Sequence, residues 1–130
     1  MPPYLGGCLC GAVRLSAEGE PCRVGICHCD DCRRHHGAPF FAAAIFPATA
    51  VTITGEPRSH AGRFFCGTCG SSVFARSEKE IEVHLGALDD ARDLATSYEL
   101  WTIRRASWLP PFPGLQSYPG NRPDAKPQMP

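Results

Sequence analysis

The sequence predicts a mainly β domain with minimal helix. Three observations carry that reading: apolar and polar residues alternate with period two in several short segments, glycine and proline punctuate the chain between them, and helix start and stop signals are thin. At 130 residues, 43% hydrophobic and 20% charged, the chain has the size and composition of one compact soluble domain. A single core is feasible at this length but modest. Eight cysteines beside 13 glycines and 13 prolines point to a further source of stability, either disulfides or metal.

The elements follow in order. Val13 and Leu15 flank Arg14 in a strand pattern. Asp30 is placed to cap one short helix through Asp31, Cys32, Arg33, Arg34, His35 and His36, ending at Gly37, where a positive φ is easily adopted. Phe40 to Phe46 is continuously apolar between Pro39 and Pro47, which suits a strand buried on both faces better than so short a helix. Val51 and Ile53 alternate with threonines and stop at Gly55-Glu56-Pro57. Ile81, Val83 and Leu85 alternate with Glu80, Glu82 and His84, the clearest strand pattern, and this places His84 on a polar, exposed face. Asp89 and Asp90 start one turn near Leu94; adjacent side chains do not converge, so they are read as turn caps rather than an acid/base pair. Tyr98 to Ile103, aromatic and β-branched, is a further strand. The expected domain spans residues 1–109, and residues 110–130 form a proline-rich tail or arm. That segment is either a solvated terminus or is anchored across the domain, or onto a second subunit, by Trp108, Phe112, Leu115 and Tyr118.

Thirteen basic residues against 13 acidic ones give no general attraction to polyanions, so nucleic acid is not an expected partner. The longest strongly apolar run, Pro39 to Pro47, is far short of the roughly 20 residues that cross a bilayer, so no membrane association is expected. Met1 to Gly7 lacks a basic segment followed by an apolar stretch, which makes a reducing, cytoplasmic compartment the expectation. There, clustered cysteines more often hold metal or do chemistry than form disulfides.

The cysteines divide into Cys8 and Cys10; Cys27, Cys29 and Cys32; Cys66 and Cys69; and Cys22 alone. In Cys66-Gly67-Thr68-Cys69-Gly70 the spacing lets both sulfurs face one ion, as in a zinc knuckle. A structural zinc takes four ligands at about 2.3 Å. Cys8 and Cys10 share a face of an extended chain and are the natural complement, giving a closed four-cysteine site worth roughly 10 to 16 kcal/mol when metal binds. Cys27, Cys29 and Cys32 remain as three thiols in six residues. With three protein ligands the fourth position belongs to water or substrate, the arrangement of catalytic zinc; alternatively His28, His35, His36 or Cys22 completes a second closed site.

Gly6-Gly7-Cys8-Leu9-Cys10-Gly11-Ala12-Val13-Arg14, then Cys27-His28-Cys29-Asp30-Asp31-Cys32-Arg33-Arg34, then Phe65-Cys66-Gly67-Thr68-Cys69-Gly70-Ser71 and Leu88-Asp89-Asp90, resemble the glutathione-dependent formaldehyde-activating enzyme family, which also includes centromere protein V. The resemblance runs from about Gly6 to Leu109. It implies the β-tent (Mss-four-like) fold of packed antiparallel β-sheets around zinc. It also implies two zinc ions, a structural one on Cys8, Cys10, Cys66 and Cys69 and a catalytic one on Cys27, Cys29 and Cys32. The implied reaction is that of a carbon-sulfur lyase joining a small thiol such as glutathione to a small aldehyde. Arg33 or Arg34 would pair with a substrate carboxylate, or else solvate the short helix or donate to zinc-bound sulfur. One departure stands out: family members often carry histidine where Glu99 precedes Leu100 and Trp101. Glu99 is read either as a general base or as the ion-pair partner of Arg104 or Arg105. A zinc-stabilised scaffold and a redox sensor using Cys22 are the competing functional classes, and assembly into a homo-oligomer is left open. His60 has no partner visible in sequence.

Overall fold

The computed structural model describes residues 2–123. A small antiparallel sheet is built from β1 (Tyr4–Gly7), β2 (Arg14–Ala17) and β5 (Val51–Thr54), in the order β1-β2-β5. The large sheet contains β3 (Arg23–Cys27), β4 (Phe41–Pro47), β6 (Arg58–His60), β7 (Arg63–Phe65), β8 (Ser72–Arg76), β9 (Glu80–His84), β10 (Tyr98–Leu100) and β11 (Gln116–Ser117). Its order is β11-β10-β3-β4-β9-β8-β7-β6. All its pairs are antiparallel except that β10 runs parallel to β3 and β11, which makes the sheet mixed.

The fold is mainly β, as the alternation predicts. The run from Phe40 becomes the central strand β4, buried on both faces and starting one residue later. Its alternation assigns the two faces. Ala44 and Phe46 join Val24, Phe74, Ile81 and Val83 against Tyr4, Leu15 and Val51 of the small sheet and Val13 just before β2, forming the main core between the sheets. Phe41, Ala43 and Ile45 point the other way and form a second cluster with Cys27 and Cys32. That outer face is where α1 (Asp30–His36) lies, the single α-helix among the described residues.

α1 begins one residue earlier than the acidic pair suggests. Cys29, not Asp30, is the N-cap, in extended conformation, with its Sγ accepting from the Cys32 amide. Asp30 and Asp31 then fill the first turn, where the helix dipole favours anions. Gly37 closes the helix at φ 66°, donating its amide to the Arg33 carbonyl at 2.8 Å.

Leu85 leaves β9 for a 3-10 turn (Leu85–Ala87). The strand expected over Tyr98 to Ile103 stops at Leu100, because Trp101 takes a left-handed conformation at φ 56° and opens a 3-10 turn over Thr102–Arg104. Beyond Pro110, Phe112 packs edge-on against Phe40 with ring centroids 5.4 Å apart, and Trp101 Nε1 donates to Asn121 Oδ1 at 2.9 Å. Trp108 is exposed, and Leu115 and Tyr118 are half-buried. Residues 124–130 of the expected tail lie outside the described residues.

Candidate metal centres and the cavity between helix and sheet

Cys8 and Cys10 sit in the turn leaving β1, and Cys66 and Cys69 in the turn between β7 and β8; the four sulfurs all lie within 4.8 Å of one another. Cys10 Sγ is 3.7 Å from Cys8 Sγ and 3.8 Å from Cys66 Sγ. Backbone amides aim at these sulfurs: Val13 N donates to Cys8 Sγ at 3.2 Å, and Thr68 N to Cys66 Sγ at 3.4 Å. Ser71 Oγ braces the cluster, 3.2 Å from Cys69 Sγ while accepting from Leu9 N at 2.9 Å. That hydroxyl leads the contacts that bring the Cys69 thiol down to about 5. Four convergent thiols with amide donors and no oxygen or nitrogen ligand suit a thiophilic, tetrahedral ion such as zinc.

The second cluster lies on the outer face of the large sheet. Cys27 ends β3, Cys29 caps α1 and Cys32 occupies the first turn of the helix, so one strand-to-helix turn brings three sulfurs within 4.8 Å of one another. Cys29 Sγ accepts from Cys32 N at 3.3 Å and Cys27 Sγ from Cys29 N at 3.5 Å. The contact with Cys27, then that with Cys32, holds the Cys29 thiol far below its ordinary value, while the same pairing pushes Cys27 up to about 12. Among the described residues no imidazole nitrogen, carboxylate oxygen or further thiol joins these three within that distance. None of the eight cysteines forms a disulfide, and Cys22 is exposed.

His28 turns away from the sulfurs into the protein. It has no solvent exposure, and its Nε2 lies 2.9 Å from Glu99 Oε1. Glu99 is equally buried and accepts from Arg105 Nη2 at 3.0 Å and from Ser117 Oγ at 3.3 Å. Burial raises this carboxyl, but the hydrogen bonds from His28 and Arg105 outweigh it and hold it below the ordinary value. Arg104 instead approaches Asp30 at 3.9 Å.

A cavity of about 50 Å³ opens beside Cys32, between α1 and the sheet. His35, His36 and Phe41 form its helix side; Arg63, Ala75, Glu82 and His84 rise from β7, β8 and β9. A wider hollow of about 660 Å³ runs past the Cys8–Cys10 turn and Ser71 to Asp89, and His36 borders both. His84 corrects the expectation of an exposed side chain: it is 2% exposed, 3.0 Å from Ser72 Oγ through Nδ1, with Phe41 edge-on at 5.2 Å. Alternation identifies its face correctly, but α1 covers that face. Burial, with His36 and His35 nearby, lowers its imidazole to about 3, and burial likewise lowers His35 and His36. His35 Nε2 and His36 Nδ1 are buried without a hydrogen-bond partner among the described residues.

Arg33 and Arg34, the arginines expected at the substrate, lie on the helix outside the cavity lining. Arg33 Nη2 donates to Asp30 Oδ1 at 2.6 Å along the helix and Arg34 is exposed; neither lines the cavity. Asp89 pairs with Arg14, and Asp90 Oδ1 accepts from Arg92 N at 2.8 Å, both as turn residues. His60 is exposed on β6. Sequence reasoning gave no role at a site to Arg63 or Glu82, and it placed His84 in solvent. Only the alternation in β9 hinted at the last two, and nothing in the sequence linked them to Arg63.

The family model described as glutathione-dependent formaldehyde-activating enzyme matches residues 3–104. A Schizosaccharomyces pombe protein described as an uncharacterized lyase is 34% identical over 79 residues, covering 57% of this chain. The chain spans 58% of the length of that curated relative. The crystal structure of a Rhodobacter sphaeroides protein superposes with a TM-score of 0.54 at 22% identity, covering 68% of this chain and 91% of that one, a likeness of fold.

Proposed function

Because the chain belongs to the glutathione-dependent formaldehyde-activating enzyme family, we propose that it is a zinc-dependent carbon-sulfur lyase joining a small thiol such as glutathione to a small aldehyde. The observation that carries the reading is the convergence of Cys27, Cys29 and Cys32 with no fourth protein donor among the described residues, at the edge of a cavity. The lyase description of the yeast relative supports the same class. Cys8, Cys10, Cys66 and Cys69 serve as the structural site.

In the addition, the thiol sulfur bonds to the carbonyl carbon, the C=O π bond breaks, and the thiol proton ends on the oxygen; the lyase direction reverses these changes. Cys27, Cys29 and Cys32 would hold the zinc ion, which would supply a Lewis acid able to ionise a thiol or polarise a carbonyl. The protein's own groups do the rest. His35 Nε2 and His36 Nδ1 are buried and unpartnered beside the cavity among the described residues, so either ring can hydrogen-bond a substrate there, while burial makes both weaker bases than a free imidazole. Phe41 and the body of α1 keep water from the reacting atoms. The His28–Glu99–Arg105 network fixes the backbone between Cys27 and Cys29 from behind. In a reducing, cytoplasmic setting the thiols stay free to bind metal.

The test is adduct formation from glutathione and formaldehyde, followed by NMR above the spontaneous rate with zinc-loaded protein. Cys29→Ala is expected to remain folded and lose the acceleration, while Cys66→Ala loses the fold. Two folded and equally active variants would refute the assignment.

A further inference from the structure

We propose that the cavity beside Cys32 recognises the zwitterionic α-amino-acid headgroup of the thiol, with the carboxylate at Arg63 and the ammonium at Glu82. This rests on the thiol reading above and names the part of the substrate that the site selects. The carrying observation is strand register. Arg63 pairs with Ala75, and Ala75 with Glu82, so the three form one row across β7, β8 and β9. All three line the cavity.

Neighbouring strands lie about 4.8 Å apart, so the Arg63 and Glu82 backbones are separated by roughly 10 Å, with only the Ala75 methyl between them. A longer side chain at position 75 would fill the gap. Instead, a guanidinium and a carboxylate flank an open space without closing on each other. Neither makes an ion pair within 4.0 Å among the described residues. The Arg63 guanidinium makes a single hydrogen bond among the described residues, Nη1 to the Ala61 carbonyl at 3.3 Å.

The neighbouring charges are otherwise engaged: Arg23 with Glu80 at 2.8 Å, and Arg33 with Asp30. Two half-buried opposite charges held apart in one cavity favour a ligand that carries both. A carboxylate alone meets Arg63 but is repelled by Glu82, and an amine alone meets the reverse. Cys32 lines the same space, so a headgroup seated there leaves its side-chain sulfur near the three-thiol cluster. Removing either charge-assisted hydrogen bond is expected to weaken binding about ten- to a hundredfold.

The experiment is calorimetric titration of the full-length, zinc-loaded protein with S-methylated probes that cannot react. S-Methylcysteine and S-methylglutathione carry both charges, S-methylcysteamine carries only the ammonium, and 3-(methylthio)propionate carries only the carboxylate. The two zwitterionic probes should bind at least about tenfold more tightly than either single-charge probe. Arg63→Gln should erase the advantage conferred by the carboxylate, and Glu82→Gln that conferred by the ammonium. Equal binding of all four probes to the wild-type protein overturns the proposal, whatever the variants do. Folded variants that keep the wild-type preference overturn it too. Because no probe carries the reactive thiol, intact headgroup preference without turnover would defeat only the lyase reading, and turnover without headgroup preference only this one.

Discussion

Burying an ionised carboxylate costs several kcal/mol unless it is paired, and Glu99 is paired three times over, with His28, Arg105 and Ser117. Its position is set by β10, which pairs Glu99 with Ile26 of β3, one residue before Cys27. Glu99 thus pairs with Arg105, one of the two arginines the sequence offers, but in the interior, since the covering segments come from distant parts of the chain. His84 gives the same lesson with a pH signature. Its folded value of about 3 lies below the ordinary 6.5, so only the unfolded chain takes up its proton between those values. The stability it contributes is complete above about 6.5 and is lost as pH falls toward 3, at up to about 1.4 kcal/mol per pH unit. His84→Gln, which keeps an acceptor for Ser72, should flatten that decline in denaturant unfolding at pH 7, 6 and 5. Parallel stability curves for variant and wild type would show that this imidazole is not the acid-sensitive group.

At the scale of elements, what positions the three-thiol cluster is the junction of β3 and α1 over the outer face of the sheet. The helix is short, and packing of Cys32 against Cys27, Phe41 and Ala43 supplies what seven residues cannot supply alone. Strand β3 must also lie flat beneath Tyr98. A Cβ at Gly25 would come within 2.1 Å of the Tyr98 ring, which is itself buried. Gly25→Ala is predicted to destabilise the protein by about 1–3 kcal/mol by displacing β10 from β3. Thermal unfolding measures this, and an unchanged melting temperature would contradict the tight approach. Period-two alternation disclosed β9, whose burial differs between neighbouring residues, and the continuous apolar run disclosed β4, which is buried on both faces. The three-residue strands β6 and β7 and the two-residue β11 carry too few positions for any period to register. The same limit hid the Arg63–Ala75–Glu82 row: alternation says which face a residue takes, whereas register, set by the turns and by the irregularity between Phe64 and Phe65, says whom it meets.

Across the whole molecule, seven of the eight cysteines gather into the two clusters that their spacing anticipates, and Cys22 stays outside both. Four thiols tie the first turn of the small sheet to the β7–β8 turn of the large one, closing the main core at its edge. Three thiols lie on the opposite face of the large sheet, outside that core. The grouping of the thiols was readable because a metal needs particular donors at particular intervals; the cavity was not, because it is assembled from α1, β7, β8 and β9. No helix among the described residues is long and apolar enough to cross a membrane. The central claim is that the three-thiol cluster keeps one position for a substrate thiol. X-ray absorption at the cobalt edge, on protein carrying cobalt at Cys27, Cys29 and Cys32 and zinc at the other cluster, reads that site alone. The account predicts three sulfurs and one light atom before glutathione is added and four sulfurs after. Four protein donors at the outset, or a sulfur count that glutathione does not change, would contradict it.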